Sequence, residues 1–194
     1  MPNTNVVSHP KWNTKEELLG FLSSENGINN IKRYVFRYED QFDITVKKTL
    51  TDEEAAKHYQ LFLNVKKANY AYNFFAYPEK TPKILSKYSD WEFLEFRLKG
   101  SDELIGCIWF FIGDDHACPL IVGLNYDYIK SHHLYKQIMY YMVKRGNDLG
   151  KSKTYLGLTS DYEKQKYGAK LVSVFGYIKV DTMYNLDLLS SLGN

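Results

Sequence analysis

The chain has 194 residues, 44% of them hydrophobic and 25% charged, with a formal net charge of +2. That length and apolar content suit one well-cored domain and exclude a disordered chain. Lysines and arginines scattered this evenly also argue against a dedicated nucleic-acid binder, whose footprint would be a basic stripe. With 17 Tyr and 11 Phe, the core or a cleft is rich in rings.

The start, "MPNTNVVSHPKW", lacks a charged region followed by an apolar one, so no signal peptide is expected. "TKEELLGFLSSENG" places Thr14 and Glu17 in capping-box spacing and predicts a short first helix. "INNIKRYVFRYEDQ" fits a helical stripe through Ile28, Ile31, Val35 and Tyr38, although its β-branched and aromatic content also suits a strand. "FDITVKK" (42–48) alternates as a strand does. "TDEEAAKHYQLFLNVKKAN" predicts a long helix, with Thr51 and Glu54 as a second capping box and acids crowding its first turn. A loop of aromatics and prolines (74–82) and a short helix over 82–88 follow.

Three strands come next, over 91–99, 104–113 and 118–126. Their links, "GSDE" and "DDHA", are hairpin-sized. The two cysteines, Cys107 and Cys118, lie in these strands and are too few for a disulfide framework. A long helix over 131–149 is predicted from the face shared by Leu134, Ile138, Tyr141 and Met142, with Gly150 ending it. "TYLGL" is a short strand. "TSDYEKQKYG" is a short helix with Ser160 and Glu163 as a third capping box, and "LVSVFGYIKV" (171–180) is the last strand. The longest apolar runs, such as "IMYYMV", fall short of the ~18 residues that a membrane span needs. A cytoplasmic address without a membrane is the expectation.

Three hairpin-linked strands followed by β-α-β crossovers make an α+β fold with a mostly antiparallel sheet and helices on both faces. Where the third meander strand meets a parallel neighbour, the two can splay, and the helix that follows points its N-terminus at the slot. This order resembles the GNAT acyltransferase superfamily over residues 42–180, with 1–41 as a helical extension of one domain, 1–194.

Two signatures of that superfamily are absent. The turn before the long helix reads "YDYIKSHHLYK" instead of Gln/Arg-x-x-Gly-x-Gly/Ala, and four residues before Gly168 stands Lys164 instead of tyrosine. "YLGLTSDYEKQKYGAKLVSVFGYIKV", "PLIVGLNYDY" and "PKWNTKEELLGFLS" resemble a narrower group, the GNAT-fold acyltransferases found beside or fused to amino-ketone synthases, and are similar to the Fem-type peptidyl transferases. The resemblance implies acetyl-CoA or another acyl-CoA as co-substrate and a small amine or amino-acid-like acceptor. The alternatives are an aminoacyl-tRNA or acyl-carrier-protein donor, or a GNAT-like module that binds a ligand without turnover. Homodimer formation stays open.

Candidate residues follow. Unpaired amides at the helix start, with Lys130, Ser131, His132 and His133, would suit a diphosphate, and Lys164 would add a mobile charge. Tyr162, ahead of Tyr167, is the candidate acid for a departing thiolate. Asp127 or Glu95 would deprotonate an amine. Gly123 reads as a bulge or a close backbone approach; with Leu124 and Asn125 it would line the donor site, a backbone N–H near Leu124 facing an oxyanion. Aromatics over 69–78 would wall the acceptor pocket. Adjacent His132 and His133 cannot converge on one ion, and His116 with Cys118 is a weak pair, so no metal is expected.

Overall fold

The computed structural model describes residues 3–68 and 77–175. Seven strands form one sheet in the order β2-β3-β4-β5-β6-β1-β7. The meander is β2 (Phe42–Lys47), β3 (Trp91–Leu98), β4 (Leu104–Ile112) and β5 (His116–Leu124), all antiparallel. Strand β6 (Lys153–Gly157) runs parallel to β5. The sequence expectation of a mostly antiparallel α+β sheet with one parallel pair holds. An unexpected strand, β1 (Asn3–Ser8), lies antiparallel between β6 and β7 (Lys170–Ser173).

Helices α1 (Lys15–Phe21) and α2 (Glu25–Ile31) are capped by the side chains of Thr14 and Ser24, and a π-helical turn, Lys32–Phe36, continues α2. With α6 (Leu134–Asp148) they enclose the larger core, around Val35, Phe96, Ile108, Leu134 and Ile138. The opposite face is covered by α3 (Asp52–Ala68) and α4 (Thr81–Leu85) over Phe93, Cys107, Trp109 and Ile121. Two glycines permit these approaches. A Cβ on Gly123 would sit 2.6 Å from Leu61 Cβ and 2.7 Å from Cys107 Sγ, so this glycine admits α3 to β5. Gly146 does the same for α6 against Thr154 of β6.

The parallel pair is short for a reason visible in the chain. Only His116 with Lys153 and Ala117 with Thr154 are in register. Two residues on, Pro119 has no N–H to offer. The ladder with β4 then skips Leu120, a β-bulge that bends β5. On β6 the register with β1 likewise skips Leu156. Each strand therefore bends just where pairing stops, and a gap opens between their C-terminal halves.

The long helix expected over 131–149 is divided. A short helix, α5 (Asp127–Ser131), precedes α6, and His133 joins them at φ 53. The third capping box does not form. Ser160, at φ 53, makes no side-chain cap bond to α7 (Asp161–Gln165). The expected last strand is β7 over 170–173, and its continuation past 175 lies outside the described residues.

Candidate active site at the strand gap

One wall of the gap is the end of β5. Asn125 N–H donates to the Ile105 carbonyl at 2.8 Å, which fixes the phase of the ladder with β4. Leu124, one residue earlier, therefore turns its N–H and C=O away from β4 and toward β6. Its carbonyl accepts from Asn64 Nδ2 of α3 at 3.1 Å. Its N–H meets no ladder partner on β6, whose register with β5 ends at Thr154.

The end of β6 makes the other wall. Gly157, Thr159 and Ser160 all have positive φ, at 78°, 62° and 53°. A β-branched threonine there is strained, so long-range contacts must hold the loop. Asn5, fully buried on β1, provides them: its Nδ2 donates to Gly157 O at 3.2 Å, Thr159 O at 3.5 Å and Asp161 Oδ1 at 2.7 Å. Lys164 of α7, only 6% exposed, donates from Nζ to Leu158 O at 2.6 Å and Gly157 O at 3.2 Å. Burial pulls its pKa down to about 8 against a smaller opposing pull from Asp161. Tyr135, in the first turn of α6, reaches toward this loop and interacts with Ser160; burial raises its pKa more than that contact lowers it.

The residues expected to cradle a diphosphate are placed otherwise. Leu134, the first residue of α6, is fully buried, its amide included. His133 is flanked edge-on by Tyr34 and Tyr38, with ring centroids 4.8 and 4.7 Å away. The start of α5 is occupied too. Asp127 N–H donates to Asn125 Oδ1 at 3.1 Å, and Asn125 Nδ2 donates to Glu103 Oε1 at 3.3 Å. The Ser131 hydroxyl bonds back to Asp127 O at 3.1 Å, His132 Nδ1 lies 2.9 Å from that hydroxyl, and Lys130 is exposed.

The sequence candidates for proton transfer are also dispersed. Tyr162 is 66% exposed, accepts from Asn26 Nδ2 at 3.1 Å and carries Lys166 Nζ over its ring at 4.2 Å. Tyr167 is buried and donates to Lys136 O at 3.1 Å. Asp127 is exposed, bonded within its own turn. Glu95 lies fully buried on the α3 side, not on a wet face, and is held by His58 Nε2 at 2.9 Å and Arg97 Nη1 at 2.7 Å. Burial would raise its pKa, but those two cations hold it at about 2, so it cannot take a proton from an amine near neutrality. The aromatic wall expected over 69–78 lies outside the described residues except for Tyr77 and Pro78.

Of the predicted set, Leu124 ends the β5 wall of the gap and Lys164 holds the loop that ends β6. Asn5 and Tyr135 were missed. Asn5 sits in a stretch too short and polar to read as a strand, and Tyr135 was one tyrosine among many. Two shallow basins lie elsewhere. One, of about 590 Å³, is lined by Lys47, Lys48, Lys83 and the start of α3, where the Thr51–Glu54 capping box already engages the helix amides. The other, of about 650 Å³, lies around Asp90, Asp114, His116 and Lys151. Among the described residues, no group of three or more His, Cys, Asp or Glu side chains is arranged to hold a metal. No described helix is long and apolar enough to cross a membrane.

The fold recurs in solved structures. L-PGS from Bacillus licheniformis superposes with a TM-score of 0.55 at 9% identity, over 81% of this chain and 45% of that one. An aminoglycoside acetyltransferase from an uncultured soil metagenomic sample, in complex with sisomicin, gives 0.52 at 13% identity, over 74% and 99%. The C-terminal domain of an assigned lysylphosphatidylglycerol synthetase from Agrobacterium fabrum gives 0.51 at 12%, over 88% and 57%. The fold is GNAT-like. No family model matches the chain, and no curated protein does. At such identities the likeness is one of fold, and the chain spans less than half the length of L-PGS.

Proposed function

We propose that the chain is an acyltransferase that moves an acyl group from an activated carrier, acyl-coenzyme A in the leading reading, to an amine or amino-acid-like acceptor lying in the gap between β5 and β6. The observation that carries this reading is the Leu124 N–H, turned into the gap where pairing with β6 has ended. An amide fixed in a strand and aimed at a carbonyl oxygen stabilises the charge that builds during attack, without reorganising as it does so. The gap aligns carbonyl and nucleophile, and positioning of that kind supplies much of the acceleration in acyl transfer. The sisomicin complex of a structural neighbour supports an amine-bearing acceptor, by analogy of fold alone. A cytoplasmic setting and a small-molecule acceptor go with this reading.

A second reading has a specific observation behind it. The buried Leu134 amide and the occupied start of α5 deny a diphosphate its usual helix-start site. That favours a donor gripped elsewhere, such as aminoacyl-tRNA or an acyl-carrier protein. A GNAT-like module that binds without turnover is the limiting case.

Melting temperature with and without acetyl-CoA or coenzyme A separates these readings. Saturating binding to the native state raises it by several degrees. Release of coenzyme A thiol with a panel of amines then completes the leading reading. No shift with either compound overturns coenzyme A as carrier and leaves the second reading; a shift without thiol release leaves the binding module.

A further inference from the structure

We propose that Lys164 is the proton acceptor for the attacking amine, a base built into the end of β6. The inference rests on the acyl-transfer reading of the gap. It starts from a count of donors and acceptors. A neutral primary amine has two N–H groups and one lone pair. Gly157 O and Leu158 O lie within 3.2 and 2.6 Å of Lys164 Nζ and accept two hydrogens. The remaining position is then a lone pair on the neutral amine or a third N–H on the ammonium.

The surroundings shift the balance toward the neutral form. Lys164 is 6% exposed, and among the described residues no carboxylate is ion-paired to Nζ. Asp161, an acid that acts on it, is engaged at 2.7 Å by Asn5. A buried ammonium facing only carbonyl oxygens is disfavoured relative to the amine, in line with its lowered pKa. A group that changes protonation near working pH is suited to general-base catalysis.

Asn5 is the positioning residue in this arrangement. By holding Gly157 O and Thr159 O it keeps the strained loop folded back so that both carbonyls face Nζ.

The step balances. An acceptor ammonium gives one proton to Lys164 Nζ. The freed nitrogen attacks the thioester carbonyl, a C–N bond forms, and the oxyanion rests on the Leu124 N–H. On collapse the C–S bond breaks, the departing thiolate takes the second nitrogen proton, and Lys164 returns its proton to water.

The test combines a titration with two acceptors. NMR of the Lys164 side-chain Cε and Nζ should give a midpoint near 8. Lys164→Met should keep the donor-induced rise in melting temperature yet slow transfer to an alkylamine about 100-fold, general-base contributions being about 10²–10⁴. It should also flatten the pH profile of kcat/KM. Transfer to hydroxylamine, whose nitrogen is already neutral at pH 7, should change by less than about threefold, a split that a merely structural lysine would not produce. A midpoint above 10, an unchanged alkylamine rate, or equal losses with both acceptors overturns the inference. If the wild-type chain binds and turns over no donor at all, the acyl-transfer reading falls, and this inference with it.

Discussion

Two buried charged clusters, one on the α3 face of the sheet and one at the end of β6, are built on opposite plans. On the α3 side Glu95 is surrounded by cations: His58 at 2.9 Å, Arg97 at 2.7 Å and Lys47 at 3.5 Å, with Lys47 also paired to Glu54. At the end of β6, Lys164 Nζ bonds to two carbonyl oxygens. The first cluster compensates its charges and is locked. The second leaves a basic group near neutrality with no ion-pair partner among the described residues. Natural chains retain uncompensated buried charge mainly where function needs it, so the contrast singles out the second cluster for test.

The largest effect should come from breaking the compensated cluster. Glu95→Gln leaves His58 and Arg97 beside a neutral amide in a dry site, and removing one partner of a buried pair typically costs about 3–5 kcal/mol. Urea unfolding should show that loss with an unchanged slope. Lys164→Met should act the other way, replacing a poorly compensated buried amine with an apolar chain of similar reach. A gain of about 1–3 kcal/mol at pH 7 is expected from such a replacement. A destabilised Lys164→Met would erase the distinction between the clusters.

Their pH responses should diverge as well. For His58, burial lowers the pKa, but Cys107 and Glu95 outweigh it and hold it at about 9. Its contribution is complete below about 6.5 and is lost as pH rises toward 9. Glu95, held at about 2, contributes above about 4.5 and loses that as pH falls toward 2. Lys164 is reversed: its unfolded pKa of about 10.5 exceeds the folded value of about 8, so stability rises with pH between them. Melting curves of wild type and Lys164→Met should therefore converge on going from pH 8 to pH 10. Parallel curves would place an ordinary lysine at 164.

What the sequence disclosed of these regions follows the range of the interactions. Thr14 with Glu17 and Thr51 with Glu54 act over three residues, and both boxes form as read. Ser160 with Glu163 has the same letters, yet its box fails because Asn5, far away in the chain, holds the preceding loop in a left-handed conformation. The meander was legible from alternation and short turns. Strand β1 was not, since "NTNVVS" offers only Val6 and Val7 as apolar residues and its partners lie about 150 residues on. The burial of Glu95 was not legible, because alternation in β3 cannot reveal that α3 covers that side. The gap itself was anticipated from topology, though Pro119 and the bulge at Leu120, which end the pairing, were not recognised as its cause.

The same distinction predicts a smaller effect at two backbone positions. Gly123 lies where β5 touches α3; an added Cβ would meet Leu61 Cβ at 2.6 Å and Cys107 Sγ at 2.7 Å. Overpacking of that kind costs about 1–3 kcal/mol, so Gly123→Ala should lower the melting temperature without touching Lys164. Thr159 belongs to the other cluster and carries strain, with φ at 62°. Thr159→Gly removes the Cβ that disfavours this conformation, a relief of about 1 kcal/mol that the greater freedom of glycine in the unfolded chain partly offsets. The net change in stability should be under about 1 kcal/mol, while hydrogen exchange at residues 157–161 speeds up because the loop can now leave its left-handed state. A loop that works by holding Leu158 O and Gly157 O on Lys164 should then lose transfer rate out of proportion to its change in stability. If rate and exchange both stay at wild-type values, the strain is incidental to the site.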